Sequence, residues 1–199
     1  MNFSVDDIMT FANDSLSIDN IAKRKPFIEA YVKQCFTKLP KKICFQKKTQ
    51  KLVKLDKNLF AKPKDCYLIH DIGNKCQDGL TEKEWEDCTS PNNFVVDDIQ
   101  NTIHTNANHL ELYISYWAYP LDDNGDLKVS EEILEVVTQY VIKQECERLS
   151  FGSDAKKYMQ LASIANQKFA MLAGDLRSKV KLTTRGERRE IKLMQNKII

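Results

Sequence analysis

Leu112-Tyr113-Ile114-Ser115-Tyr116-Trp117-Ala118-Tyr119-Pro120, followed by Leu121-Asp122-Asp123-Asn124-Gly125-Asp126-Leu127 and an amphipathic run from Ser130, decides how the chain is read. Aromatic and β-branched residues in the first part favour a pleated, extended segment, and Pro120 forbids continuing a hydrogen-bonded ladder. Asn124-Gly125 tolerates positive φ and predicts a tight turn. Ser130 is expected to cap the helix that follows, its hydroxyl accepting from an early backbone N–H while Glu131 and Glu132 complement the positive helix end. The stretch therefore reads as strand, stop, turn and helix.

After this turn the pattern is helical. Ile133, Val137, Tyr140, Val141 and Gln144 share a face up to about Leu149, and Phe151-Gly152 marks a break. Beyond Ser153-Asp154, the residues Tyr158, Ala162, Ala165, Phe169, Leu172 and Leu176 recur at four-three spacing, a narrow apolar seam that predicts an antiparallel helical hairpin. Before the strand, Val5, Ile8, Met9 and Ala12 line one helical face with Ser4 as cap. A second helix is predicted over Asp19 to about Leu39, with Pro26 in a break or a first turn and Leu39-Pro40 ending it.

Between these helical ends the period changes. Ile43-Cys44-Phe45, Lys51 to Leu55, Cys66 to Ile69 and Asn93 to Val96 are short extended runs punctuated by Gly73-Asn74, Asp78-Gly79 and Ser90-Pro91. The fold class expected is α+β, a helical bundle carrying an inserted small antiparallel β-domain. The divisions are residues 1–42 for the first helices, 43–119 for the β-domain with an acidic loop at 73–93, 120–182 for turn and hairpin, and 183–199 for a basic tail.

A chain of 199 residues with 42% hydrophobic and 29% charged side chains can bury a sizeable core. Met1 to Asp7 lacks the basic and apolar regions of a secretory signal, and no apolar run approaches the roughly 20 residues that span a bilayer. A product retained in the cytosol of the producing cell, without a membrane partner, is expected. Six cysteines include no C-x-x-C pair, so they read as reduced thiols packed as small hydrophobes. The net charge of +2 conceals three blocks. Fourteen Lys or Arg face two acids between Lys23 and Lys64, eighteen acids face five bases from Asp65 to Ser150, and eleven bases face four acids from Phe151 onward. Complementary potentials of this kind fix partner and register, as between neighbouring copies or stacked layers.

Tyr116-Trp117-Ala118-Tyr119-Pro120-Leu121-Asp122-Asp123-Asn124-Gly125 also resembles, residue by residue, the Tyr-x-Ala-x-Pro-x-Asp-x-x-Gly segment of head-to-tail adaptor proteins. These are the ring, or tail-tubular-protein-A-like, proteins of short-tailed phages, crAss-like phages especially. The order of parts is similar too: helix, Leu39-Pro40, β-domain, the segment itself with Tyr116, Pro120, Asp122 and Gly125, helical hairpin, basic tail. The acidic insert near Cys76 to Asn93 has no counterpart in that pattern. The resemblance implies a virion structural protein in the neck or tail, a subunit of a ring, usually of twelve copies, that joins the portal protein to an adjacent tail or ring protein. DNA would pass along its channel without sequence-specific binding. In the tail, Ile191, Leu193, Met194, Ile198 and Ile199 are too few for a core of their own, and they read either as a segment that packs back on its own helical hairpin or as one that docks on a portal or neighbouring subunit, the reading taken here. By analogy with the family, Arg185, Arg188 and Arg189 would meet acidic groups on an adjacent chain.

No enzyme is expected. G-x-x-x-x-G-K-[ST], G-x-S-x-G and G-x-G-x-x-G are absent, and His70, His104 and His109 have no metal-binding spacing, so neither cofactor nor metal is expected. Asp122 to Asp126 departs from a calcium loop because glycine stands fourth and the twelfth residue is Ile133. The alternative reading is a nucleic-acid-binding accessory protein: Lys38, Lys41, Lys42, Lys47, Lys48, Lys51 and Lys54 could neutralise phosphates and Phe45 could stack bases. Lysines on strand edges equally serve to block edge-to-edge pairing.

Overall fold

The protein, a computed structural model, is described at residues 1–16, 21–56, 58–73, 94–105 and 112–195; at 21–22, 70–71, 73 and 181–195 the description covers the backbone. It is a mixed α+β chain in two units, one made of Met1–Cys44 with Asp122–Ile199 and the other of Phe45–Leu121. The acidic loop expected at 73–93 lies outside the described residues save for the backbone of Gly73.

In the first unit, strand β1 (Asn2–Ser4) leads directly into helix α1 (Val5–Leu16). A reciprocal capping box starts α1: the Asp7 N–H donates to Ser4 Oγ at 3.2 Å, and Asp7 Oδ2 accepts from the Ser4 N–H at 2.8 Å. That backbone bond holds the Asp7 carboxyl below its ordinary 3.8. A 3₁₀ turn, Ile21–Arg24, precedes α2 (Lys25–Lys38), and Pro26 occupies the first turn of α2, where its missing N–H removes no helix bond. A single helical turn, α3 (Lys41–Cys44), follows Pro40, so the extended run expected at Ile43-Cys44-Phe45 is replaced up to Cys44 by helix, held by the Ile43 and Cys44 N–H groups donating to the Pro40 carbonyl.

The long helices are α4 (Glu131–Leu149) and α5 (Ala155–Gln195). α4 is packed on by α1, α2 and α5, which explains why its buried residues, Ile133, Val136, Val137, Tyr140, Val141 and Cys146 among them, surround most of the helix. On α5 the expected seam is carried by buried Ala162, Ala165 and Leu176, joined by Ala173, and Phe169 sets its ring 5.1 Å from that of Tyr140. α5 does not stop near residue 182. Its 41 residues extend about 60 Å, against about 28 Å for the 19 residues of α4.

Ser130 gives a second difference from expectation. It ends β9 (Lys128–Ser130), which pairs antiparallel with β1, and its side chain makes no cap hydrogen bond. The Glu131 N–H donates instead to the Met1 carbonyl at 3.1 Å. Backbone from the opposite end of the chain thus satisfies one of the orphan donors that every helix start exposes.

The second unit is built on two antiparallel sheets. One has the order β2 (Gln46–Lys51), β8 (Tyr113–Ala118), β5 (Cys66–Gly73); the other runs β3 (Lys54–Asp56), β4 (Leu59–Ala61), β7 (Thr102–Thr105), β6 (Phe94–Asp97). Both sheets contribute to one core. Ile114, Tyr116 and Ala118 of β8 meet Phe60, Ile103, Cys66, Leu52 and Leu112, with Phe94 packed at the margin. β8 is central because it is the aromatic, β-branched strand, paired on both sides.

Candidate functional site

The four residues singled out in the strand-turn segment do not form one constellation. Tyr116 lies in the core of the second unit, fully buried, with its hydroxyl 3.0 Å from both Asp65 Oδ1 and Gln50 Oε1. Having one proton, it donates to the carboxylate, the stronger acceptor. Lys48 Nζ binds the other Asp65 oxygen at 2.7 Å. Burial, reinforced by Asp65, raises the phenol above its ordinary value, so it stays protonated and keeps its donor role.

Pro120 follows β8 and ends its ladder, and the turn itself is the work of Asp122 and Gly125. The Asp122 carboxylate accepts from the N–H groups of Asn124 at 3.0 Å and Asp126 at 2.9 Å, and the Gly125 N–H donates to the Asp122 carbonyl at 2.9 Å. Lys128 Nζ stands 3.3 Å from the same carboxylate. Gly125 alone in the turn takes positive φ, at 86°, so Asn124 contributes its amide and not a left-handed backbone. A Cβ on Gly125 would meet nothing within 4 Å, which makes its substitution a test of backbone strain alone. Gly125→Val is expected to lower stability by about 1 kcal/mol or more, with Gly125→Asn clearly milder because asparagine visits this region more readily. Urea melts of the two variants check the ranking; equal midpoints for valine and wild type would remove the turn from the account.

The Asp126 N–H is the main cause of a lowered Asp122 pKa, below its ordinary 3.8. A depressed carboxyl stabilises the fold above its unfolded-state value, and that contribution is lost as pH falls through the folded-state value. The stability difference between wild type and Asp122→Asn is therefore expected to be constant at neutral pH and to shrink below about pH 4. Denaturant midpoints measured from pH 7 to pH 2.5 test this, and a gap that widens on acidification would contradict it.

Of the interaction residues, Arg185, Arg188, Arg189, Ile191 and Met194 fall on the backbone of α5, and Ile198 and Ile199 lie outside the described residues. The four-three seam that ends in Leu176 would next fall on Lys179, Thr183, Gly186, Glu190 and Leu193, so the apolar stripe that seats α5 is interrupted for four successive positions. Lys181, Arg185, Arg188 and Lys192 recur at four-three-four spacing, and their α-carbons lie along one strip of the helix. Where α5 still contacts its own unit, Arg177 Nη2 donates to the Lys38 carbonyl at the end of α2, at 2.7 Å.

The lysine-rich segment is less available than its composition suggests. Phe45 is buried and stacked on Tyr67, with ring centroids 4.2 Å apart, and Tyr119 stands against both rings. Its face is thus already occupied. Lys48 is committed to Asp65, while Lys47 and Lys51 lie on β2, an end strand of its sheet. Cys35, Cys44, Cys66 and Cys146 are unpaired and buried; burial pushes the Cys66 and Cys146 thiols up to about 11 and that of Cys44 to about 12, so none is a ready thiolate. Among the described residues, no three or more His, Cys, Asp and Glu gather to hold a metal ion, and no helix is long and apolar enough to cross a membrane. The chain matches no family model and no curated protein.

Sequence reasoning missed a buried ionic cluster. Glu145, fully buried on α4, accepts from Arg24 Nη2 at 2.8 Å through Oε1, and from Arg148 Nε and Nη2 at 3.0 and 2.8 Å through Oε2. Its signal was positional: Glu145 stands four residues after Val141 on the apolar face that begins at Ile133 and Val137. A carboxylate at such a place needs a partner.

Proposed function

We propose that the chain is a head-to-tail adaptor, a ring subunit joining the portal to the tail of a short-tailed phage virion and lining a continuous DNA channel. The observation that carries the reading is the order of parts. Residues 1–44 and 122–199 form one α-helical unit, residues 45–121 form an inserted β unit, and the Tyr116 to Gly125 segment stands at the return from one to the other. The adaptor pattern has the same order. A second support is α5, which outruns its partner α4 by 22 residues and carries its basic strip in that excess. A helix without an apolar stripe gains little by folding back, and a basic strip suits an acidic docking surface.

Function by association needs no converging catalytic groups. Each subunit presents one surface to the copy on one side and a different surface to the copy on the other, and a rotation that closes gives a ring. Mass photometry and negative-stain imaging of the purified chain, alone and with portal protein, test the reading: closed rings stacked on the portal are expected. A chain that stays monomeric with portal present, and binds DNA tightly and sequence-selectively with a steep salt dependence, would replace it with the nucleic-acid reading.

A further inference from the structure

Two helices of the first unit turn an uncharged row of side chains outward. On α5 the row is Gln160, Ile164, Gln167, Met171, Gly174 and Ser178, at four-three spacing and opposite the seam that seats the helix on α4. Ile164 is 50% exposed and Met171 62%, and a Cβ added to Gly174 would meet nothing within 4 Å. In a chain with 29% charged residues, the stretch from Tyr158 to Gly174 carries one charge, Lys168. On α2 the row is Phe27, Ala30, Gln34 and Thr37, all exposed and opposite the buried Ile28, Val32 and Cys35. Both helices pack on α4 with their other sides. Exposed Met and Phe in a charge-depleted row are the composition of an interface centre, not of an ordinary solvated face.

We infer that the α5 row of one copy packs, helices parallel, on the α2 row of the next copy in the ring. This rests on the ring reading and supplies the two unlike faces that a closed rotation requires. What names a second copy as the occupant is the match in height and charge between the two rows. α2 begins beside Glu145 and ends with the Lys38 ammonium over the Tyr140 ring, so it runs against α4, as α5 does. α2 and α5 therefore run the same way, and the bond from Arg177 to the Lys38 carbonyl sets those two residues level. Glu29 lies nine residues before Lys38, and Lys168 nine before Arg177. Lys33 and Asp175 differ in height by three residues, about 4.5 Å. A rotation about an axis along the helices leaves heights unchanged. It sets Lys168 against Glu29 and brings Asp175 within reach of Lys33, because at 3.6 residues per turn these charged rims fall on the same side of two parallel helices placed face to face. Glu29 and Lys33 already pair along α2 at 2.6 Å, and the contact extends them to a row of four alternating charges. The uncharged residues fit at the same heights. Phe27 comes between Ile164 and Gln167, and small Ala30 leaves room for Met171. Rim charges of this kind select the partner and its height more than they add affinity, and a foreign helix has no reason to carry these signs at these levels.

The test uses the full chain with Cys76→Ser and Cys88→Ser, in which Cys35, Cys44, Cys66 and Cys146 remain buried. Ala30→Cys protein carrying a size tag is mixed with Met171→Cys protein before assembly, alone and with portal protein, and treated with a short thiol-to-thiol cross-linker. A mixed dimer that neither variant gives alone is expected. Met171→Glu, which sets a charge in the α5 row at an exposed position, is expected to lose the ring while keeping the melting temperature and helical signal of the wild type. If the wild type forms rings but the mixture gives no mixed dimer, or Met171→Glu still forms them, the inference is overturned and the ring reading stands. If either cysteine variant alone dimerises as readily as the mixture, the contact joins like faces and the inference is overturned in the same way. If the wild type is monomeric both alone and with portal protein, both fall. Should Met171→Glu not fold, the cysteine mixture decides.

Discussion

Glu145→Ala is expected to destabilise the protein by about 3 kcal/mol, the low end of the range for removing one member of a buried ion pair. The carboxylate is completely enclosed and binds two guanidinium groups, Arg24 from the 3₁₀ turn before α2 and Arg148 one turn along α4. Its loss leaves Arg24, whose buried Nε already has no hydrogen-bond partner among the described residues, with the Phe27 ring, 4.3 Å from its guanidinium carbon, and the Tyr31 side chain in place of a carboxylate. Arg148, whose side chain is 39% exposed, can turn to water, which keeps the cost near the low end. For a chain of this length the melting temperature is expected to fall by about 6–12 °C. Glu145→Gln keeps the shape and one acceptor and should cost less, about 1.5–3 kcal/mol. Replacing Glu145 with Leu together with both arginines by Met should recover much of the loss, because an apolar trio of similar volume carries no unmatched charge. Thermal melts of the three variants read this directly. A triple variant no better than Glu145→Ala would show that the cluster acts through geometry that charge removal cannot restore.

Deleting residues 184–199 is expected to abolish attachment to portal protein while leaving the melting temperature and helical signal per residue nearly unchanged. The reason lies in where α5 is seated. Its last described buried side chains are Ala173 and Leu176, and Arg177 makes the contact with the end of α2. Past Leu176 the four-three positions are Lys179, Thr183, Gly186, Glu190 and Leu193, so the sequence of the deleted part hardly continues the apolar seam. What it does carry is three of the basic residues of the strip, Arg185, Arg188 and Lys192, together with Arg189 and the apolar Ile191 and Met194. Co-sedimentation with portal protein and a thermal melt of the same preparation form the test. A truncated chain that unfolds at markedly lower temperature would make this segment core, and one that still attaches normally would make it dispensable.

Local chemistry made much of the fold legible. Asp122 and Gly125 announce their turn because a carboxylate short enough to reach its own backbone and a residue free to take φ of 86° are both written in the residue types. The Ser4 cap and the first-turn Pro26 were readable for the same reason. Features governed by contacts distant in sequence were not. Ser130 has the right residue type for a cap, yet β9 pairs with β1 and the Met1 carbonyl takes the role. The run Lys51 to Leu55 looks like one strand, but the chain turns a corner there: Lys51 ends β2, buried Leu52 fills the core, and Lys54 begins β3 in the other sheet. The network of Lys48, Asp65 and Tyr116 joins two strands and the turn before a third, and leaves no periodic trace in any of them. Of the candidate interaction residues on α5, Arg185 and Arg188 share a strip with Lys181 and Lys192 because the backbone there is helical, which residue types alone do not reveal.

The pairing of β1 with β9 has a consequence for the newborn chain. Asn2 finds Ser130 only after the whole of the second unit has left the ribosome, so the first helices must wait for α4 to arrive. During that interval Ile28, Val32, Phe36 and Ile8, all fully covered in the finished protein, have no α4 to lie against. Residues 45–121 face no such delay, since both of their sheets close within the segment itself. Synthesis therefore favours an order in which the later-starting unit is complete first, and the vulnerable species is a half-made chain with its opening helices uncovered. A stalled chain long enough to have released residue 121 from the ribosome, with α4 still inside it, should be protease-sensitive before Cys44 and resistant in the described strands of the second unit, whereas the completed chain should be protected in both.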